Sequence, residues 1–133
     1  MAKTIQQTVK FGAPPEKLFD IYLNLKKHAA AVNSQASISR KVGVRFRIFG
    51  GALQGKNLAI TPKRMIVQSW RGSDWKKSEG DSILILTFSK APGGGRISLV
   101  HANVPDRRYA GINRGWNKYY WKPWRAYLRR LGR

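Results

Sequence analysis

Two histidines are the only side chains in this sequence whose ordinary pKa lies near neutral pH. His101 ends an apolar strand pattern, where a histidine could act as a general acid or base. A catalytic histidine normally needs an orienting carboxylate, and the nearest acidic residue in the sequence, Asp106, lies beyond a proline. His28 stands in a lysine-rich stretch. We therefore predict that His101 is structural and that the chain has no catalytic residues.

The sequence predicts no metal site and no cofactor. The two histidines and six acidic residues are scattered without ligand spacing, and the lack of cysteine excludes disulfides, thiolate ligands and cysteine nucleophiles. Glu16 and Asp20 lie one helical turn apart, where they suit the positive N-terminus of a helix and solvent. The glycines at 93–95 join two strands and lack the Lys-Ser/Thr of a phosphate loop, which indicates a hairpin turn.

The length of 133 residues predicts a single domain over 1–133, and an apolar share of 42% supports a core. No apolar run approaches the roughly 18 residues that a membrane span needs. The N-terminus also lacks the apolar segment of a secretory signal. A reducing cytoplasm is the expected location because there is no cysteine, an absence that also suits an engineered chain.

The charge balance is strongly basic, with 26 Lys and Arg against six acids and a net charge of +20. The basic residues occur in every segment, which is typical of a surface supercharged by engineering. The alternative is a natural binder of nucleic acid or anionic surfaces, which would concentrate its charge on one face. Either interpretation predicts nonspecific association with polyanions, namely nucleic acid, acidic proteins or anionic surfaces. The expected contacts are Lys26, Lys27, Arg45, Arg47, Arg107, Arg108, Arg114, Lys118, Arg129 and Arg130.

Alternating apolar residues and turn residues predict the order strand, two helices, six strands and a long helix. The helices are expected at Pro15–Asn24, Lys26–Val32 and Tyr109–Leu131, with a bend at Pro123 because proline removes a backbone donor. The expected strands are Thr4–Phe11, Ala36–Arg40, Val44–Phe49, Ala52–Ile60, Met65–Arg71, Ser82–Ser89 and Arg96–Val104.

Several motifs in this order resemble one family. They are Ala13-Pro14-Pro15-Glu16, Val42-Gly43-Val44-Arg45-Phe46, Gly50-Gly51, Ile66-Val67-Gln68-Ser69-Trp70-Arg71, His101-Ala102-Asn103-Val104-Pro105 and Gly115-Trp116. With these the chain resembles the bacterial relatives of the activator of the ninety-kilodalton heat-shock protein ATPase, within the START-like (SRPBCC) superfamily. The resemblance covers nearly the whole chain. It implies an α+β helix-grip fold, in which a curved antiparallel sheet wraps around a long C-terminal helix.

In such a fold the concave sheet face and the helix enclose a space, and strand alternation nominates its walls. Trp116 and Tyr120, four residues apart on the helix, would close it. One interpretation is a cavity for an apolar small molecule, oriented by Gln68, His101 or a tyrosine hydroxyl. The alternative is that the large rings fill the core. The expected cavity residues are Phe46, Ile48, Ile66, Gln68, Trp70, Leu84, Leu86, Phe88, Leu99, His101, Trp116 and Tyr120.

Three functional hypotheses follow. The first is a non-enzymatic START-like domain with an apolar cavity and an engineered cationic surface that associates with polyanions. The second is a natural binder of nucleic acid or anionic surfaces. The third is a cyclase-like enzyme that uses the cavity, with His101 or a tyrosine as its acid–base group.

Overall fold

A computed structural model describes residues 2–132, so the terminal residues 1 and 133 of the expected domain lie outside the described part. Seven strands form one antiparallel sheet in the order β1-β7-β6-β5-β4-β3-β2. The strands are β1 (Ala2–Phe11), β2 (Ala36–Ser37), β3 (Arg45–Ile48), β4 (Leu53–Thr61), β5 (Met65–Gly72), β6 (Ser82–Ala91) and β7 (Gly94–Pro105). The helices are α1 (Pro15–Leu23), α2 (Leu25–Val32), α3 (Tyr109–Trp116) and α4 (Lys122–Leu131). The order of elements predicted from the sequence is confirmed.

The second strand is shorter than expected. The sequence predicts a strand over Ala36–Arg40, whereas β2 ends at Ser37. Beyond that point the side chain of Asn57 donates hydrogen bonds to the carbonyls of Ser39 (2.8 Å) and Lys41 (3.1 Å). These carbonyls are therefore satisfied by an amide side chain instead of a neighbouring strand, and the chain leaves the sheet.

Each of the first two helices begins at a recognisable signal. Pro15 occupies the first turn of α1, where its missing N–H costs nothing. The helix ends one residue before the expected Asn24, because this residue caps α2 by accepting a hydrogen bond from Lys27 N (3.0 Å). Asn33, in the left-handed conformation with φ 55°, ends α2.

The long C-terminal helix is interrupted. A π-helical segment, Asn117–Trp121, joins α3 to α4, and the N–H of Lys122 donates to the carbonyl of Asn117. The widened turn lies directly before Pro123, whose ring would clash with a carbonyl one turn earlier in a regular α-helix. The extra residue leaves Tyr119 half exposed and turns both Tyr120 and Trp121 into the core.

The core lies between the concave face of the sheet and the helices. Along β5 the inward positions Ile66, Gln68 and Trp70 are buried, and the positions between them are partly exposed. Gln7 on β1 anchors the C-terminal helix, because its side chain donates to the carbonyl of Asn113 (2.9 Å) and accepts from Trp121 Nε1 (2.8 Å). Within residues 2–132, every helix is too short or too polar to cross a membrane.

Candidate functional site

An apolar groove of about 420 Å³ lies between α3 and the start of β4. Aromatic rings form most of its walls, and Tyr119, with half of its side chain exposed, stands at the mouth. The size falls within the range of small-molecule sites. The lining residues are Phe49, Ala52, Leu53, Trp70, Gly111, Ile112, Gly115, Trp116, Tyr119 and Tyr120.

Two glycines leave the helix side of the groove open. Gly111 and Gly115 lie four residues apart and therefore share one face of α3. A Cβ atom at Gly111 would meet no atom within 4 Å, and one at Gly115 would meet only the Tyr119 ring, at 3.6 Å. Close packing does not require either glycine. The missing side chains account for part of the empty volume.

The sheet side of the groove ends in a strained turn. A 3₁₀ turn over Phe49–Gly51 links β3 to β4, and Phe49 has a positive φ of 56°, which is rare for a bulky residue. Its N–H donates to the carbonyl of Gln35 (2.9 Å). This conformation places the Phe49 ring edge-on to Tyr119 (5.8 Å) and Tyr120 (6.0 Å), so the turn supplies one aromatic wall.

The structure places three of the expected cavity residues, Trp70, Trp116 and Tyr120, on the groove wall. The other nine lie buried in the packed core beside it, because the rings of the C-terminal helix occupy the space in front of them. These nine are Phe46, Ile48, Ile66, Gln68, Leu84, Leu86, Phe88, Leu99 and His101.

His101 is held inside a hydrogen-bonded chain. Trp116 Nε1 can only donate, so its 3.2 Å contact makes Nδ1 of His101 the acceptor. Nε2 of His101 then carries the proton and donates to Ser82 Oγ (2.7 Å), whose hydroxyl donates to the carbonyl of Trp70 (2.8 Å). Burial lowers the pKa of His101 to about 3. The imidazole is neutral, with both nitrogens engaged.

His28 is the functional-looking residue that sequence reasoning missed. It is fully buried, although the lysines around it suggested a solvated helix. Nδ1 donates to the carbonyl of Tyr22 (2.6 Å), and Nε2 accepts from the hydroxyl of Tyr120 (3.0 Å). Burial lowers the pKa of His28 to about 4, against the opposing effect of the Tyr22 carbonyl. The available signal was its spacing from Ala31 and Val32, the other buried residues of α2.

A second polar chain crosses the core away from the groove. Tyr22 donates its hydroxyl proton to Gln68 Oε1 (2.9 Å), and Gln68 Nε2 donates to Asn57 Oδ1 (2.8 Å). Burial raises the pKa of the Tyr22 hydroxyl above its ordinary value. Gln68 is therefore committed to internal bonds, so it does not orient a ligand in the groove.

The expected polyanion contacts are spread over several elements. They lie on α2, β3, α3, α4, the π segment and the turn before α3. Nine of the ten are exposed and Arg108 is half buried. Three of them form ion pairs: Lys27 with Asp20, Arg107 with Glu79, and Arg108 with Asp74. The side-chain bond from Arg107 lowers the pKa of Glu79 to about 2. In the part of the chain that the structure describes, no group of three or more histidines and acids could hold a metal ion.

Comparison with known proteins gives a consistent result. A family model described as Activator of Hsp90 ATPase homolog 1-like protein matches residues 12–129. A protein of Dictyostelium discoideum, described as "Activator of 90 kDa heat shock protein ATPase homolog", is 25% identical over 116 residues. This match covers 87% of the chain and 30% of the relative. The chain spans about a third of the length of the curated relatives that it matches.

Solved structures share the fold. The crystal structure of an HSP90 activator from Plasmodium falciparum has a TM-score of 0.84 at 24% identity, covering 94% of this chain and 95% of that chain. A protein from Mesorhizobium loti has a TM-score of 0.81 at 22% identity, with 96% and 98% covered. These likenesses confirm the α+β helix-grip fold, with an antiparallel sheet packed against the C-terminal helix.

Proposed function

The chain belongs to the family of Activator of Hsp90 ATPase homolog 1-like proteins, and we propose that it is a non-enzymatic START-like domain that binds an apolar small molecule in its groove. The observation that carries this proposal is the groove of about 420 Å³ between α3 and β4, with its aromatic walls. Apolar ligands bind such sites by removing surface from water, at about 25 cal/mol for each Å² buried.

The polar groups of the site support binding over catalysis. An acid–base role would need a histidine that titrates near neutral pH and faces the ligand. Both His28 and His101 have lowered pKa values, and both nitrogens of each ring are engaged within the protein. Neither histidine lines the groove. The cyclase-like hypothesis therefore has less support than simple binding.

The test is titration with N-phenyl-1-naphthylamine, a neutral apolar dye that fluoresces in a dry site. We expect saturable binding to the parent protein. Gly115→Leu should reduce the affinity at least tenfold, because the new side chain points into the groove while its Cβ meets only the Tyr119 ring.

Ala110→Leu is the matched control, because it adds a larger side chain to an exposed position of the same helix. It should leave the dye affinity unchanged. Binding that is absent in the parent, or equally reduced by both variants, would overturn the groove as the binding site.

The second candidate function is association with polyanions, which the exposed and widely spread basic residues favour. If about 6–10 phosphates are engaged, affinity for nucleic acid should fall by about three to five decades between 50 and 200 mM salt. Fluorescence anisotropy with DNA duplexes of two unrelated sequences measures this. A flat salt dependence, or strong preference for one duplex, would contradict nonspecific association.

The spread of charge over many elements favours a supercharged surface more than one focused patch. That the surface is engineered stays a prediction from the composition, as does a cytoplasmic location.

A further inference from the structure

The interior of the groove offers no hydrogen-bond donor to a ligand from its two buried polar side chains. The indole N–H of Trp116 donates to His101 (3.2 Å), and the hydroxyl of Tyr120 donates to His28 (3.0 Å). A buried polar group on a ligand that finds no partner costs free energy. The part of the ligand inside the groove must therefore be apolar.

The two ends of the groove differ in charge. Near one end, Arg108 Nη2 lies 2.5 Å from Asp74 Oδ2, so its charge is neutralised. The neighbouring Ser73 N–H donates to the carbonyl of Ala52 (2.9 Å), which places this pair beside the groove wall. The basic residue at this end is already occupied by a carboxylate.

At the mouth stands a basic residue with no such partner. Lys118 follows Gly115 by three residues and Gly111 by seven, so it lies along the same face of the helix. Its Nζ atom lies 5.2 Å from the ring centroid of Tyr119, which lines the groove. Among the ion pairs of residues 2–132, none involves Lys118. Its flexible stem lets the ammonium reach a ligand group at the mouth.

We propose that the ligand of this groove is an anionic amphiphile, whose apolar body fills the groove and whose single anionic group binds Lys118 at the mouth. This inference rests on the proposed function and names the ligand class. No acidic side chain lines the groove, and the net charge is +20, so a cationic end group would be repelled.

The experiment displaces bound N-phenyl-1-naphthylamine with two ligands of equal chain length, decanoate and 1-decanol. We expect decanoate to bind about threefold to fivefold more tightly, the usual range for an exposed ion pair. Lys118→Gln should abolish this ratio and leave the affinity for decanol unchanged. Lys118→Arg should retain it, because the charge is kept.

Lys90→Gln is the control for the overall charge, because Lys90 is exposed near the end of β6, at the opposite end of that strand from the Trp70 pairing. It should leave the ratio unchanged. If the dye binds but both ligands displace it equally, the anionic class is wrong and the groove stands. If Lys118→Gln and Lys90→Gln reduce the ratio equally, the preference comes from the whole surface and the role of Lys118 is wrong. If the dye itself does not bind, the proposed function fails first.

Discussion

The two halves of the C-terminal helix face the same sheet with opposite results. In the first half, α3 presents Gly111 and Gly115, and a groove of about 420 Å³ remains. In the second half, the indoles of Trp121 and Trp124 stand perpendicular to each other, 5.8 Å apart, and are both fully buried. Side-chain volume along one helix, more than the curvature of the sheet, therefore decides where the fold is filled and where it is open.

Acid should destabilise both halves together, because each contains a buried neutral histidine. The pKa of His28 is lowered to about 4 and that of His101 to about 3, whereas both titrate near 6.5 in the unfolded chain. The unfolded chain takes up protons first as the pH falls, so stability is complete above about pH 6.5 and decreases below it. We expect a loss of about 3 kcal/mol for each histidine between about pH 6.5 and 4.5.

Urea denaturation at a series of pH values measures this loss. His28→Gln should remove about half of the pH dependence, since only His101 then contributes. Stability that stays constant over this range would show that the histidines are not buried as described.

Truncation in the filled half should cost the full price of a core cavity. Trp124→Ala should lower the free energy of unfolding by about 3–5 kcal/mol. The indole N–H of Trp124 has no hydrogen-bond partner, so the loss arises from packing alone. Trp124→Phe is the control and should lose less than half as much, because it keeps most of the ring contacts with Phe11 and Trp121. A cost for Trp124→Ala of less than about 1 kcal/mol would contradict a filled half.

Truncation at the boundary should cost less. Trp116 is buried against Trp121 and His101, but it also borders the groove. Trp116→Ala should therefore cost about 2–3 kcal/mol, less than Trp124→Ala, and should enlarge the dye site. Trp116→Phe separates the hydrogen bond to His101 from the packing. Equal costs for the two tryptophans would mean that the halves do not differ.

Filling the open half by one methyl group should stabilise the fold slightly. Gly111→Ala should raise the free energy of unfolding by about 0.5–1 kcal/mol, because glycine is a poor helix former and the new Cβ meets no atom within 4 Å. Thermal unfolding measures the change. A destabilised variant would show that the groove is narrower at Gly111 than the structure indicates.

Much of the fold was predictable from local patterns. Alternation placed six of the seven strands within two residues of their observed ends, because one face of each is buried. The early end of β2 was not predictable, since it depends on the side chain of Asn57 from a distant strand. The π segment is also a local response to packing around Pro123 that periodicity alone does not specify.

The site was less predictable than the fold. Alternation shows which residues face inward, but it does not show which of them meet a helix and which meet a gap. The groove therefore includes Trp70, Trp116 and Tyr120 from the expected set, together with seven residues that were not expected. A usable signal was present in the paired glycines of α3 and the Gly50–Gly51 turn, since residues without side chains leave space on an otherwise apolar face.

Nuclear magnetic resonance with ¹⁵N-labelled protein tests the central claim most directly, because it locates the bound dye. On titration with N-phenyl-1-naphthylamine, the amides of Gly111 and Gly115 and the indole of Trp116 should shift, since they border the groove. The indole of Trp124, buried in the filled half, should stay in place. Shifts centred on Trp124, or spread evenly over the exposed basic residues, would contradict a ligand site between α3 and β4.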